Sequence, residues 1–341
     1  MVRDVVLADA ERFVRPAPCN AAPGDMAAFE ADMDCLCAPV GARLLRDAVF
    51  NASGELFDAH DVLECSFLDR ERFEGRDRAR YARRLAAAHA PGHVLEGECL
   101  WITDRHSHNY HHWLCDALPK LEAWLQRHPA ATLAMPGRAF REAFVRESLE
   151  AYRGQLRVLE PPSDALPTRA GSLIVIDRTA PAAQHHDRLV AAVAGRLRER
   201  YGSSAAATGR RIHVSRARAR MRRIVNETEL SPVFARHGFE TVFAEEMSLA
   251  EQVTMMIGAR TLVGAHGAGL TNMMFMPAGG SVLELRQLSG PPNCFFALAG
   301  ASGHCYRYLA CKPAGRPAHP HAADIGVDPD ELDRALADLP R

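Results

Sequence analysis

Several signatures are missing from this chain, and each absence removes a class of function. No CxxC pair occurs among the nine cysteines, at positions 19, 35, 37, 65, 99, 115, 294, 305 and 311, so neither a zinc ribbon nor a dithiol redox site is indicated. Scattered thiols of odd number predict a reducing compartment and no disulfide scaffold. No run approaches the roughly 18 uninterrupted apolar residues that a membrane-spanning helix requires. The first residues, MVRDVVLADAERF, carry acids and lack the apolar centre of a signal peptide. Net charge is absent too: 41 Lys and Arg stand against 42 Asp and Glu, so no global field favours nucleic acid or an anionic membrane. No GxGxxG follows an expected strand with an acid about 20 residues later, which counts against a dehydrogenase.

What is present suits a folded protein of two domains. The 341 residues exceed one ordinary core, and 48% hydrophobic with 24% charged residues is typical of globular chains. Residues 1–75 read as short strands and loops (Val5–Leu7, Leu44–Val49, Val62–Leu68), the poorly defined start of a first domain. From Arg76 onward, strand and helix patterns alternate: a helix over 77–89, a strand over 94–103, a helix from an Asn109 cap to about Arg127, and a buried strand at Ser172–Ile176. Such alternation predicts a parallel sheet covered by helices. A helix over 184–201 and the stretch Gly202–Gly209 mark the border. An α/β domain is therefore expected over 76–190, and a second α/β domain with a C-terminal tail helix over 191–341.

The helix from Asn109 has a firm apolar stripe through Trp113, Leu114, Ala117, Leu118 and Leu121. On its other side His108, His112 and Asp116 lie four apart. A solvated face would explain them, as would a metal site, although no third strong ligand is evident. The helix begins where a strand ends, which in an open α/β sheet is the ligand edge, and this favours a functional pair of His112 and Asp116. Pro119 on the polar side predicts a kink.

In the second half, the strand Arg211–Ser215 runs into five arginines within Arg216–Arg223. A solvated charge run, a nucleic-acid contact or a diphosphate clamp would each use them. Neutral overall charge and the lack of interleaved aromatics weigh against nucleic acid. Asn226 to Glu229 and Ser248 to Glu251 read as capping boxes, and Pro232 suggests a restart at Ser231. The stretch LVGAHGAGLTNMMFMPAGGSVLEL, Leu262 to Leu285, reads as strand, glycine turn, helix and strand. Its turn holds Gly264, His266, Gly267, Ala268 and Gly269, in the place where phosphates bind. Two αβ domains of this kind would frame a cleft, with arginines for an anionic leaving group on one side and a His and Asp to activate a hydroxyl on the other.

Taken together and in order, these blocks resemble glycosyltransferase family 61: His112-Trp113-Leu114 with Asp116, Val214-Ser215-Arg216 with Arg222 to Glu227, Gly238-Phe239-Glu240, Glu251-Gln252-Val253, and Gly264 to Asn272 through Glu284-Leu285. The likeness spans roughly residues 93 to 290. It implies a GT-B-like architecture of two Rossmann-type doubly wound domains facing a cleft. It also implies inverting transfer of a hexosyl, N-acetylhexosaminyl or pentosyl group from a UDP-sugar to a glycan or polysaccharide hydroxyl, without an obligate metal. The lack of an anchor points to the bacterial capsular or surface polysaccharide type, cytoplasmic or at the inner face of the membrane. Asp116 or His112 is then the expected base. Arg216 and Arg223 are assigned to the diphosphate, Gly267, Ala268 and Gly269 to phosphate approach, Glu284 to ribose hydroxyls, and Asn226, His266 and Asn272 to donor or loop geometry. The alternatives are a non-catalytic nucleotide-sugar-binding module and, less favoured, a nucleic-acid-binding protein using Arg216–Arg223.

Overall fold

The computed structural model describes residues 5–22, 24–161, 163–202, 208–288, 291–315 and 322–340. The chain forms two compact units, residues 1–12 with 36–182 and residues 13–35 with 183–341. The division thus falls at 182/183, just before the helix Asp187–Tyr201, and a short N-terminal segment counts with the second unit. Most of the linker-like stretch, residues 203–207, lies outside the described residues.

The first unit is built on a mixed sheet, not the purely parallel one that its alternation predicts. Val5–Ala8, Val40–Phe50, Thr168–Ile176, His93–Trp101, Ala131–Ala134 and Leu156–Leu159 lie side by side in that order. The last four are mutually parallel, whereas Val40–Phe50 runs antiparallel to Thr168–Ile176, from Ala42 opposite Ile176 to Phe50 opposite Thr168. Eleven residues that read as fragments therefore make one long strand. Arg43, Arg46 and Asp47 break its apolar pattern, and Asp47 takes a positive φ of 52°. Alternation still sorts its end: Phe50 packs on Trp101, ring centroids 4.8 Å apart, while Val49 turns to the cluster of Phe57, Phe67 and Tyr81. Val62–Leu68, expected as strand, holds instead a 3₁₀ turn at Glu64–Ser66.

Asn109 caps the next helix, its side chain accepting from the backbone N–H of His111 and His112. This helix runs from Tyr110 to Leu125 and widens into a π turn over Trp113–Ala117, which ends two residues before Pro119. Where a kink was expected, the wider turn accommodates the proline that cannot donate.

The second unit has a five-stranded, wholly parallel sheet in the order Phe239–Val242, Arg210–Val214, Ala259–Ala265, Ser281–Arg286, Cys305–Ala310. Numbered along the chain this is 2-1-3-4-5, so the order reverses between Arg210–Val214 and Ala259–Ala265. One face is closed by the helices Glu227–Arg236 and Pro329–Ala337, whose Leu230, Phe234, Leu332 and Leu336 join Val263 and Leu283 in one core. Ser248 and Glu251 form the capping box expected for Leu249–Ile257. Asn226 does not cap with its side chain, and Pro232 sits inside a continuous helix with no restart at Ser231.

Residues 13–35 belong to this unit because they are fixed along its edge strand. Asn20 Nδ2 donates to the Tyr308 carbonyl (2.7 Å), Tyr308 Oη donates to Asp25 (2.5 Å), and Phe29 stacks against Tyr306, Tyr308 and Phe296. Cys19 and Cys305 form a disulfide there, contrary to the expectation of free thiols. No helix among the described residues is long and apolar enough to cross a membrane.

Candidate functional site

In an open α/β sheet, the crevice at the reversal of strand order collects ligands, because the loops leaving two neighbouring strands diverge there. In the second unit those loops begin at Ser215-Arg216 and His266-Gly267. Arg216 folds back over its own loop, Nε donating to the Arg222 carbonyl (3.1 Å) and Nη2 to that of Met221 (2.9 Å). Its guanidinium lies against the glycine turn: a Cβ on Gly267 would sit 2.6 Å from Cζ and closer still to Nη1. Gly269 is required for a different reason, since a Cβ there would meet Val214 Cγ1 at 2.6 Å. The segment after the turn, Ala268–Phe275, is a 3₁₀ helix rather than the expected α-helix, so less dipole is gathered at its start.

Arg222, not singled out in the sequence, is the second cation of the site. It holds a positive φ of 57°, costly for a residue with a Cβ, and its Nε is buried without a hydrogen-bond partner. With His266, Arg286 and Pro291 it lines a small pocket. Burial pushes the Arg216 guanidinium down to about 10, with the charge of Arg222 acting in the same direction. Two guanidiniums held near each other create a demand for an anion.

Beneath them lies a buried network. His266 Nδ1–H donates to Glu284 Oε1 (2.5 Å), Tyr306 Oη donates to Glu284 Oε2 (2.5 Å), and Arg286 Nη1 stands 3.7 Å from Oε2. Burial alone would raise the Glu284 pKa, but Arg286, His266 and Tyr306 outweigh it and hold the carboxyl below its usual range. The His266 pKa is itself lowered, chiefly by burial, with Glu284 acting against that, and its Nε2 is directed away from Glu284. Glu284 is fully buried with a partner on each oxygen, which suits holding His266 in place more than meeting a ribose.

Other expected donor residues are engaged elsewhere. Arg223 binds Asp324 through Nε (3.2 Å) and Nη2 (3.0 Å). Asn226 bridges the N–H and carbonyl of Val327, and Asn272, fully buried, donates to Gln252 (2.7 Å). These three tie loops and helices together. Arg216, Arg222, His266 and the Gly267-Ala268 turn form the cluster.

In the first unit, His112 Nδ1–H donates to Asp116 Oδ2 (2.7 Å), side chains 26% and 17% exposed. Burial raises the Asp116 pKa, but the His112 bond, the His112 charge and Arg178 overcome it, and the carboxyl stays ionised well below the usual range. Arg178 bridges two acids at 3.9 Å each, Asp116 through Nη2 and Asp104 through Nη1. His108 turns away, bonded to the Arg105 carbonyl and to Arg138. Arg178 follows the strand Thr168–Ile176 by two residues, so the strand-edge rule used for His112 would have found it.

Residues 110–283 match the family model Glycosyltransferase 61. The chain belongs to glycosyltransferase family 61. The family 61 match contains His112, Asp116, Arg178, Arg216, Arg222, His266 and Gly267, and ends one residue short of Glu284. A stretch of 93 residues is 33% identical to the EGF domain-specific O-linked N-acetylglucosamine transferase of Drosophila melanogaster, covering 26% of this chain and 18% of that protein.

Proposed function

We propose that this family 61 member is an inverting glycosyltransferase, GT-B-like in arrangement, that moves a sugar from UDP to a hydroxyl of a glycan. A surface polysaccharide is the proposed acceptor, and no obligate metal is invoked. The observation that carries the proposal is the pair of guanidiniums at the strand-order reversal, Arg216 laid over Gly267 and Arg222 buried without a partner for its Nε. A diphosphate supplies the oxygens this pair lacks, since planar guanidiniums bind phosphate oxygens through several N–H groups at once.

The geometry of the first unit supports different roles for His112 and Asp116. A carboxyl held well below its usual range is a poor proton acceptor. Asp116 instead keeps the proton of His112 on Nδ1 and leaves Nε2 to accept one. In the proposed step the acceptor hydroxyl gives its proton to His112 Nε2 as its oxygen bonds to the anomeric carbon. The carbon–oxygen bond to the diphosphate breaks on the opposite face, and its electron pair goes to the leaving phosphate oxygen. Arg216 and Arg222 stabilise that growing charge, and such stabilisation lowers the barrier more than ground-state binding does. Asp116 offsets the charge of the imidazolium.

A thermal-shift screen tests this reading. UDP and UDP-sugars should raise the melting temperature by mass action, with NAD and CDP inert, in EDTA and in Mg²⁺ alike. No shift with any uridine nucleotide would sink the proposal.

A further inference from the structure

The polar stripe at His108, His112 and Asp116 continues, four residues on, to Lys120, and the proposed transfer does not use that residue. Lys120 is only 4% exposed, yet among the described residues it makes neither a hydrogen bond nor an ion pair within 4 Å. Its side chain lines a pocket of the first unit together with Arg43, Cys65, Asp177 and Arg178. Burial lowers its pKa, with Asp104 and Asp116 acting against that from a distance.

The acids around the pocket are largely committed. Asp104 accepts from the His106 backbone (2.8 Å) and the Ser107 hydroxyl (3.1 Å), and Asp116 holds His112. Glu64 stands 3.8 Å from Arg70 and Asp69 3.4 Å from Arg72. Asp177 remains, pressed so closely against Gly41 that a Cβ there would meet Oδ2 at 2.6 Å. An ammonium so nearly enclosed, with no acceptor of the protein, is costly, and a Met would fill the same space without that cost. The pocket therefore asks for an oxyanion near Lys120 and Arg178, with one carboxylate left to accept hydroxyl donors.

We propose that this pocket is an anion subsite that binds an acidic sugar, its carboxylate or phosphate accepting from Lys120 and Arg178 while Asp177 accepts from ring hydroxyls. Naming that sugar as part of the acceptor rests on the transferase reading, whereas the binding itself does not.

The test is titration of the full-length protein with glucuronate, glucose 6-phosphate and glucose at fixed ionic strength, followed by ligand-observed NMR. At least one anionic sugar should bind about tenfold or more tighter than glucose, and whichever binds better identifies carboxylate or phosphate as the ligand. Lys120→Met should remove that advantage and leave the UDP-induced thermal shift unchanged, with Arg178→Gln as a second variant of the same subsite. Equal binding of all three sugars, binding of none, or an undiminished preference in both variants would overturn the proposal. A wild-type protein that binds glucuronate but shows no UDP shift would retain the subsite and lose the transferase reading.

Discussion

Gly267→Ala isolates the anion site more cleanly than removal of either arginine. Gly267 has φ 170°, an extended conformation open to alanine, so the substitution brings no backbone strain. The new methyl would lie 2.6 Å from Arg216 Cζ and 3.0 Å from Nε, where ordinary contact begins near 3.4 Å. The guanidinium must retreat by about 0.8 Å at Cζ, and further at Nη1. That movement breaks the bonds from Arg216 to the carbonyls of Arg222 and Met221, and so loosens the turn in which Arg222 holds its positive φ. The atom displaced is the end of a flexible side chain, so the fold should survive with its melting temperature nearly unchanged. The loss of one charge-assisted hydrogen bond, about 1.5–3 kcal/mol, weakens UDP binding by roughly 10- to 150-fold. Isothermal titration with UDP measures this directly. Gly267→Ala protein that binds UDP as wild type does would refute the assignment of Arg216 and its turn to the diphosphate.

Arg222→Ala and Arg223→Ala form a contrasting pair: the first should cost about tenfold or more in UDP affinity, whereas the second leaves it within about twofold. Arg223→Ala instead loses a half-exposed pair with Asp324, about 1 kcal/mol or less in urea unfolding. His112→Ala should lower turnover by about 10²–10⁴-fold without changing the UDP thermal shift, and Asp116→Asn should lower it too by releasing the tautomer. Full turnover in both variants would exclude this pair as base. Glu284→Gln leaves Arg286 buried beside a neutral amide and should destabilise by about 3–5 kcal/mol, read by chemical denaturation. His213, stacked on Phe234 and pushed down to about 3 by burial, supplies a pH test. Between pH 6.5 and about 3 the unfolded chain binds a proton that the folded chain refuses, so stability falls with acidification by up to about 1.4 kcal/mol per pH unit. His213→Gln should flatten that slope by about one proton.

Much of the second unit is legible because its signals are local. Short apolar strands alternate with capped helices, and the Ser248–Glu251 capping box is visible from four residues. The strand Val40–Phe50 is legible only in its piece Leu44–Val49, because its charged residues hide a pairing made with residues more than a hundred positions away. Residues 13–35 are obscured in the same way: their partners are Tyr306 and Tyr308, and Cys19 joins Cys305 across 286 residues of chain. Within the site, spacing by four reveals His112 and Asp116, whose contact is one helical turn long. Choosing between Arg222 and Arg223 requires a backbone dihedral that no residue preference signals, and here sequence reasoning selected the arginine that Asp324 occupies. Glu284 lies inside the strand Ser281–Arg286 and not at its end, and its burial depends on Tyr306 from the edge strand and on Arg286 of its own strand.

Each unit contains a histidine whose Nδ1–H is held by a carboxylate, and the two pairs differ in the property that decides what a histidine can do. His266 and Glu284 are 7% and 0% exposed, with Tyr306 and Arg286 fixing the carboxylate from behind. Burial disfavours the charged form of an imidazole so enclosed, which suits it to holding a fixed orientation beside Arg222. His112 and Asp116 are 26% and 17% exposed on a helix surface, with Arg178 rather than a buried wall beside the carboxylate. Access is what a general base requires, because it must come within hydrogen-bond reach of a hydroxyl arriving from solvent. The proposed transfer therefore gives the proton-transfer role to the exposed pair and the positioning role to the buried one, although both share the same side-chain chemistry.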